Sequence, residues 1–379
     1  MKLALVHDHL TQTGGAEKVL GSFHKEFPAA PIFTLVYNAE RFSSLLANSD
    51  IRTSFIQRLP WGLKHYQWFL PLMPWATERH DLRGYDAVLS SASAFAKGVL
   101  TGDHTLHICY CHTPTRYLWS DAHSYVEELP YPFFVKKLIP ALLVKLRMWD
   151  YLAAQRPDVM IANSATVRRR ISKYYRRDSV VLYPPVNIEA FASSKEVGKY
   201  YLTGGRLVSY KRFDIVIEAF NRLRVPLKIF GEGPAKSRLA DLAKSNIEFL
   251  GFCSREKLAA AYAKCLAFIQ PQEEDFGITA IEAMASGRPV IAYRAGGAIE
   301  TIKAGESGIF FEEQSWEALA DTVVRFEPSS FDSAVIRRQA ENFSEEVFRN
   351  KLRNIINDAW AAHRARISGG SPAPTLTVS

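Results

Sequence analysis

The sequence contains little cysteine. Only four cysteines occur among 379 residues: Cys109, Cys111, Cys253 and Cys265. Their spacing matches no zinc motif, and so few thiols favour free, buried side chains in a reducing compartment. A small secreted domain held together by disulfides is therefore disfavoured.

Long apolar runs are also missing. No uninterrupted run reaches the roughly 20 residues of a membrane span, and the opening MKLALVHDHLTQTGG has too short an apolar run for a signal peptide. Basic residues are spread along the chain without a nucleic-acid-binding motif, so no nucleic-acid partner is expected. These observations predict a cytoplasmic protein, or one at the surface of a membrane.

The length and charge of the chain indicate how many domains it forms and which class of partner it binds. Its 379 residues exceed one ordinary domain and predict two, and the 47% hydrophobic content is enough to build both cores. The net charge of +8 and the isoelectric point near 9.2 favour anionic partners such as phosphates or a lipid surface. A generally basic surface explains this charge equally well.

Short apolar runs alternate with helical patterns in both halves of the chain. In the first half, residues 2–7, 32–37, 86–91, 106–111 and 159–163 are predicted strands, with 159–163 the last of its sheet. After Pro184-Pro185, the predicted domain junction, the alternation restarts and runs from 200–203 to 308–311. This pattern predicts α/β domains with doubly wound parallel sheets, whose ligands bind at the carboxyl ends of the strands.

Two segments interrupt the alternation. Residues 58–82 are rich in tryptophan and proline, and residues 130–156 place apolar residues at helical spacing with Lys136, Lys137, Lys145 and Arg147 among them. Each segment alone fits a core helix whose lysines extend to the surface. Together they favour contact with an anionic membrane surface, because basic amphipathic helices with aromatic residues suit that interface.

Residues 270–289 predict an anion site that also binds hydroxyl groups. An apolar strand leads through a polar loop into a helix, and the amino terminus of a helix attracts negative charge. The same stretch carries Glu274 and Glu282, and a glutamate can accept hydrogen bonds from a sugar diol. The plainer interpretations are a solvated loop acid for Glu274 and helix charge compensation for Glu282.

Basic and titratable residues follow other predicted strands. Arg206 and Lys211 lie on a loop after residue 203, where a forked guanidinium and a point charge could hold a diphosphate. Gly14-Gly15 follows the first strand, where glycine permits close approach of a ligand. His112 ends the strand 106–111. Each feature in isolation is more typical of an ordinary turn or a structural histidine.

These elements occur in a characteristic order. Glu274 and Glu282 form an E-x7-E motif, which stands with Gly14-Gly15, Gly204-Gly205-Arg206 and Lys211, Gly231-Glu232-Gly233 and Ala295-Gly296-Gly297. In this order the motifs resemble retaining GT-B glycosyltransferases of family 4. The stretch HTPTRYLW at 112–119 resembles the subgroup that moves mannose from GDP-mannose to lipid-linked or polysaccharide acceptors.

The resemblance implies a GT-B fold, in which two Rossmann-like domains face a cleft. Residues 1–183 would form the acceptor-side domain and residues 184–343 the domain that binds the sugar nucleotide. A helix over 344–367 would cross back to the first domain. The tail 368–379 is predicted to be disordered from its composition.

The resemblance also implies roles for individual residues. Arg206 and Lys211 would neutralise the leaving diphosphate, Glu274 would bind the donor sugar, and His112 would contact that sugar from the N-terminal domain. Two fixed cations can replace a metal ion, and no Asp-x-Asp motif occurs, so neither metal nor cofactor is expected. The remaining implied donor contacts are Gly14, Gly15, Gly231, Phe252, Phe276, Gly277, Ile278, Thr279 and the ribose ligand Glu282, and the implied acceptor-side residues are Arg116, Tyr117 and Trp119.

The donor and the acceptor stay open at this point. GDP-mannose and a lipid-linked sugar or polysaccharide precursor are expected, with the enzyme peripheral at the inner face of the plasma membrane. A UDP-glucose or UDP-N-acetylglucosamine donor fits the same fold. A phosphorylase, an epimerase or a noncatalytic sugar-nucleotide-binding protein is the further alternative, and the intact clamp with both glutamates disfavours the last of these.

Overall fold

The chain forms two compact units. The computed structural model describes residues 1–12, 14–42, 46, 49–122, 126 and 133–369, without the side chains of 133–135 and 138. The first unit contains Met1–Tyr183 and the residues from Phe348 onward, and the second contains Pro184–Val347. Most of the tail predicted to be disordered, residues 370–379, lies outside the described residues.

The first unit is built on a parallel sheet of seven described strands in the order β3-β2-β1-β4-β5-β6-β7. Strands β1, β4 and β5 are buried along their whole length, because helices cover both faces of such a sheet. The prediction that 159–163 is the last strand is wrong, since β7 pairs with β6 beyond it. The strands are Leu3–His7 (β1), Ile32–Thr34 (β2), Ile51–Thr53 (β3), Ala87–Ala92 (β4), Leu106–Cys111 (β5), Val159–Ala162 (β6) and Val180–Val181 (β7).

Five helices connect these strands within the described part of the first unit. The helix α5 begins where the Ser164 hydroxyl accepts a hydrogen bond from the Val167 amide, a typical N-cap. The helix α1 has Gly14 at its N-cap and no side-chain cap. The helices are Gly15–Glu26 (α1), Ala39–Phe42 (α2), Met73–Glu78 (α3), Phe133–Ala153 (α4) and Ala165–Tyr175 (α5).

The second unit repeats this architecture with a sheet of six described parallel strands in the order β10-β9-β8-β11-β12-β13. In both sheets, successive strands are added first on one side of the unit's first strand and then on its other side. The α/β proteins bind ligands at the point where this order changes. The doubly wound α/β prediction is therefore confirmed. The strands are Tyr201–Gly204 (β8), Leu227–Phe230 (β9), Ile247–Gly251 (β10), Phe268–Gln270 (β11), Val290–Tyr293 (β12) and Gly308–Phe311 (β13).

The helices of the second unit cover its sheet through apolar faces. In α6, for example, the buried residues include Phe213, Val216, Ile217 and Phe220, which recur at helical spacing. The helices are Phe213–Leu223 (α6), Lys236–Leu242 (α7), Arg255–Lys264 (α8), Ile278–Ala285 (α9), Ala298–Thr301 (α10), Trp316–Arg325 (α11) and Ser333–Glu341 (α12).

The last helix, Glu345–Ile367 (α13), contributes to the core of the first unit. Phe348 and Leu352 are buried in the same apolar cluster as Phe23 and Tyr110, and the Phe348 ring lies 6.0 Å from that of Phe23. Residues from opposite ends of the sequence therefore form one core.

The two interrupting segments belong to the first unit. Residues 58–82 form short turns of 3-10 helix and α3, and residues 133–153 form α4; residues 130–132 lie outside the described part of the chain. Leu70 from the first segment packs on the buried Leu143 and Leu146 of α4, so the two segments lie side by side. Among the described helices, α4 included, none is both long enough and apolar enough to cross a bilayer.

Candidate active site

Two predicted site residues of the second unit meet at neighbouring strand ends. Strands β8 and β11 are adjacent, and Lys211 and Glu274 follow them in the sequence. The Lys211 Nζ lies 2.9 Å from Glu274 Oε1, and both side chains are largely buried. Gln272 Nε2 donates to the same carboxylate oxygen at 3.0 Å. The Lys211 ammonium group is therefore held next to the Glu274 carboxylate, which can accept hydrogen bonds from hydroxyl groups.

Glycine allows the loops beside this ion pair to approach each other. A Cβ on Gly231 would lie 1.8 Å from the carbonyl oxygen of Gly205, and one on Gly233 would lie 2.2 Å from that of Leu207. Gly231 also has φ +109°, which disfavours any side chain. The Gly-Glu-Gly turn therefore packs directly on the loop that carries Arg206, whose side chain is exposed.

The late glycine element supports the loop that contains Glu274. The Gly297 amide donates to the Glu274 carbonyl oxygen at 2.8 Å. A Cβ on Gly296 would lie 2.3 Å from that carbonyl oxygen, and one on Gly297 would lie 2.5 Å from Phe276 Cα. This contact holds the backbone from Glu274 to Phe276 in place ahead of α9.

The amino terminus of α9 begins at a glycine. Gly277 is the N-cap with φ +92°, and no side chain caps the helix. The first amides of a helix have no partner within the helix, so those of Gly277, Ile278 and Thr279 remain the predicted anion donors. Ala280 already donates to the Gly277 carbonyl oxygen.

Glu282 lies in the second turn of α9 and is 6% exposed. The Tyr262 hydroxyl donates to its Oε2 at 3.4 Å. Burial, followed by the nearby Glu282, raises the pKa of Tyr262 well above its usual value, so the phenol stays a donor. Glu282 is thus anchored from one side, and its predicted ribose contact stays a prediction.

Phe252 has the exposure expected of a stacking residue. It follows β10 and is 82% exposed. The neighbouring Gly251 accepts a hydrogen bond from the Gly231 amide at 2.8 Å, which ties the Phe252 turn to the Gly-Glu-Gly turn. An exposed aromatic ring beside the predicted diphosphate loop could hold a nucleobase.

Gln270 was not identified from the sequence. It ends β11, is fully buried, and neither polar atom of its side chain has a hydrogen-bond partner among the described residues. Its amide lies directly beneath the Gly277 turn, because a Cβ on Gly277 would be 3.0 Å from Gln270 Oε1. The sequence feature that could have identified Gln270 is its position directly after the apolar residues Phe268 and Ile269.

The first unit gathers titratable side chains at the ends of β1, β4 and β5. His7 Nδ1 lies 3.0 Å from Ser91 Oγ, and Ser91 Oγ lies 2.8 Å from His112 Nε2. On the other side of His7, its Nε2 lies 3.9 Å from Glu17 Oε1. His7, Glu17 and Ser91 are buried, and only His112 of these four was predicted from the sequence.

Burial controls the protonation of this cluster. Burial, followed by the neighbouring His7, lowers the pKa of His112 to about 4, although Asp8 and Glu17 act in the opposite direction. For Glu17, burial raises the pKa, but the interaction with the neighbouring His7 outweighs this effect and leaves the pKa lowered. At neutral pH the cluster therefore contains a neutral His112 and a charged Glu17.

Asp8 fixes the loop behind the cluster. Its two carboxylate oxygens accept hydrogen bonds from four consecutive backbone amides, residues 93–96, at 2.6–2.9 Å. Burial raises its pKa, but nearby histidines and these amides outweigh that effect and leave the pKa lowered. The sequence signal was the His-Asp-His run that ends the first predicted strand.

One of the predicted acceptor-side residues, Trp119, contacts a buried carboxylate. Trp119 Nε1 donates to Asp150 Oδ2 at 2.8 Å, and Asp150 also pairs with Lys97 at 2.6 Å, both 1% exposed. Thr115 and Tyr175 donate to the same carboxylate at 2.8 Å each. Trp119 therefore anchors its loop, while the neighbouring Arg116 and Tyr117 are half-buried.

A basic groove of about 610 Å³ lies apart from these residues, at the end of α5. Arg176 and Arg177 are among its lining residues, and Arg177 donates to the carbonyl oxygens of Ala154 and Pro157. Cations are favoured at a helix carboxyl terminus, which accounts for this groove. Across the described residues, no group of three or more His, Cys, Asp or Glu side chains could hold a metal ion.

Both halves of the sequence match glycosyltransferase families. Residues 186–345 match the family described as "Glycosyl transferases group 1", and residues 13–190 match "Glycosyltransferase Family 4". Together the two matches run from residue 13 to residue 345.

Curated relatives match at low identity or over short segments. The O-antigen chain mannosyltransferase RfbU of Salmonella typhimurium is 27% identical over 66% of this chain and 72% of its own length. The GDP-mannose-dependent alpha-mannosyltransferase of Corynebacterium glutamicum is 37% identical over 28% of this chain and 26% of its own. The chain spans about half the length of other curated relatives that it matches.

The fold is that of solved GT-B enzymes. The crystal structure of Anabaena Alr3699/HepE in complex with UDP and glucose covers 94% of this chain and 99% of its own, with a TM-score of 0.69 and 17% identity. At this identity the likeness establishes the fold. The GT-B fold and the two family matches together support the assignment of this chain to the GT-B glycosyltransferases.

Proposed function

We propose that the protein is a retaining hexosyltransferase that moves mannose from GDP-mannose to a lipid-linked sugar or polysaccharide precursor. The observation that carries the proposal is the Lys211–Glu274 contact of 2.9 Å. It places a cation for a leaving diphosphate beside a carboxylate for sugar hydroxyls. The names of the two mannosyltransferase relatives support mannose as the sugar.

The proposed reaction proceeds on one face of the sugar. The bond from the anomeric carbon to the diphosphate oxygen breaks, and the acceptor oxygen bonds to the same face while its proton passes to the leaving phosphate. Lys211 and Arg206 stabilise the negative charge that develops on the diphosphate, and the amides at the start of α9 add donors. Glu274 stabilises the positive charge on the sugar. Neither metal nor cofactor is required for this step.

Substitutions at the ion pair test the reaction. We expect Lys211→Ala, Arg206→Ala and Glu274→Gln each to lower kcat about 100-fold or more, because each removes a charge that acts on the transition state. Product formation is measured with radiolabelled GDP-mannose and a membrane-derived lipid acceptor. Lys303→Ala and Glu306→Gln are the matched controls, since they break an exposed ion pair of the same unit. Near-normal transfer by all three site variants would refute the assignment.

A thermal-shift panel tests the donor. A ligand that binds the native state raises the melting temperature, so GDP-mannose is expected to give the largest rise among GDP, UDP and ADP sugars. A larger rise with UDP-glucose or UDP-N-acetylglucosamine would favour the alternative donor, which the Anabaena complex supports. Stabilisation without any transfer would favour a noncatalytic sugar-nucleotide-binding protein.

We further propose that the first unit rests on the inner face of the plasma membrane. Val144, Met148 and Leu152 of α4 are exposed at intervals of four residues, and so form one apolar stripe. Trp61, Trp68 and Trp75 are exposed on the neighbouring segment. Exposed lysines of α4 add attraction to anionic lipids.

Flotation with liposomes tests this surface. The protein is expected to float with vesicles that contain phosphatidylglycerol and to come off at high salt, because salt screens the charge attraction. Val144→Glu should reduce flotation severalfold. The control Val324→Glu changes a helical valine of the second unit that is likewise exposed and should have no effect. Equal flotation of the two variants would contradict this assignment of the surface.

A further inference from the structure

Ser91 connects two histidines through a single hydroxyl group. Its Oγ lies 3.0 Å from His7 Nδ1 and 2.8 Å from His112 Nε2, and Ser91 is fully buried. A serine hydroxyl has one proton, so it can donate to one of these nitrogens and must accept from the other. The proton positions on the two rings are therefore coupled.

Glu17 determines the direction of this chain of hydrogen bonds. Its Oε1 lies 3.9 Å from His7 Nε2, which is beyond hydrogen-bond distance, but its negative charge favours a proton on that nitrogen. In a neutral His7 this charge places the proton on Nε2 and leaves Nδ1 as an acceptor. Ser91 donates to that Nδ1 and accepts from His112, so His112 carries its proton on Nε2.

We propose that Glu17, His7 and Ser91 are positioning residues that hold His112 in its neutral Nε2–H tautomer, so that Nδ1 accepts a hydrogen bond from a sugar hydroxyl. This inference rests on the proposed function for the identity of the ligand, but not for the tautomer. It gives the first unit a hydroxyl acceptor that carries no charge, in contrast to the carboxylate of Glu274 in the second unit.

The other groups that face His112 are consistent with a neutral ring. Burial is the largest effect and disfavours a charged His112, whereas Asp8 and Glu17 favour the charge and a charged His7 would oppose it. Asp8 is already saturated by four backbone amides. Only a cationic His7 would reverse the chain of hydrogen bonds, because it would donate to Ser91 and make Ser91 donate to His112.

The tautomer is measured directly on the full-length protein labelled with ¹⁵N-histidine. Long-range proton–nitrogen correlation spectra distinguish rings protonated at Nε2 from rings protonated at Nδ1, and His112→Gln assigns the signal. We expect His112 to show the Nε2–H pattern at neutral pH. A proton on Nδ1 in the wild-type protein would overturn the proposal.

Two variants and one matched control extend the measurement. Ser91→Ala and Glu17→Ala should each give His112 a mixture of both tautomers, because the directing contacts are lost. Ser90→Ala is the control, since Ser90 is equally buried and contacts His107 Nε2 at 2.9 Å. It should leave the His112 signal unchanged. An unchanged His112 signal in both Ser91→Ala and Glu17→Ala would also overturn the proposal.

Kinetics then separate the tautomer from the proposed reaction. Ser91→Ala should lower kcat/KM for transfer about tenfold, the effect of one misdirected hydrogen bond, while the thermal shift caused by the free nucleotide stays the same. Absence of transfer in the wild-type protein would contradict the proposed function and leave the tautomer result intact. If Ser91→Ala changes the His112 tautomer as expected but leaves kcat/KM unchanged, the role of Nδ1 in sugar binding is refuted.

Discussion

Gly231 shows what a single residue contributes to the proposed diphosphate site. We expect Gly231→Ala to destabilise the second unit by on the order of 3 kcal/mol, because its Cβ would meet a backbone oxygen at 1.8 Å. The nucleotide-induced rise in melting temperature should also disappear.

Gly305→Ala is the matched control for Gly231→Ala. Gly305 has φ +79° but nothing within 4 Å of its Cβ position, so only a backbone cost of about 1 kcal/mol is expected. Both variants are compared by thermal melting with and without GDP-mannose. Equal effects of the two would show that backbone conformation, rather than the contact with Gly205, decides the outcome.

The sequence was sufficient to predict that Lys211 and Glu274 lie close together, but not that Ser91 contacts both His7 and His112. Lys211 and Glu274 follow apolar strands, and parallel strands bring their carboxyl ends to one edge. Ser90 and Ser91 look alike in a sequence, and both are buried. Which of them contacts His112 depends on the pairing register, in which His7 stands opposite Ser91.

At the scale of secondary-structure elements, Asp150 joins α4, α5 and the loop before Trp119. Burial lowers the pKa of Lys97, but the Asp150 charge outweighs it and leaves that pKa raised. Removing one partner of a buried ion pair costs about 3–5 kcal/mol. We therefore expect Asp150→Asn to lower the stability of the first unit by that amount, measured by urea denaturation.

Asp358→Asn is a suitable comparison for Asp150→Asn. Asp358 is an exposed aspartate of α13, and exposed charges contribute little to stability. Its urea midpoint should match that of the wild type. A similar midpoint for Asp150→Asn would mean that the buried network adds no net stability.

The elements that sequence patterns missed are short or polar. Strand β3 has three residues and lies at a sheet edge. Helix α12 buries only Ile336 and Ala340, so its periodicity is weak. Its N-cap Asp332, which accepts from the Ala334 amide, was the available signal. The longer elements were predictable because their buried faces show a clear period.

At the scale of the whole molecule, each unit has its own core and should respond to its own substitutions. Leu352→Ala in α13 and Leu319→Ala in α11 each remove a fully buried leucine, at a cost of about 2–5 kcal/mol. We expect Leu352→Ala to speed amide hydrogen exchange in β1, β4 and β5, and Leu319→Ala to speed it in β8 and β9. Faster exchange in the strands of both units from either substitution would contradict this independence.

The contribution of α13 to the first core has a consequence during protein synthesis. A ribosome needs on the order of ten seconds to translate the second unit, and only then does it make Phe348 and Leu352. Until then the first unit lacks the residues that cover Phe23 and Tyr110. The unit that is translated first is thus the one that completes its folding last.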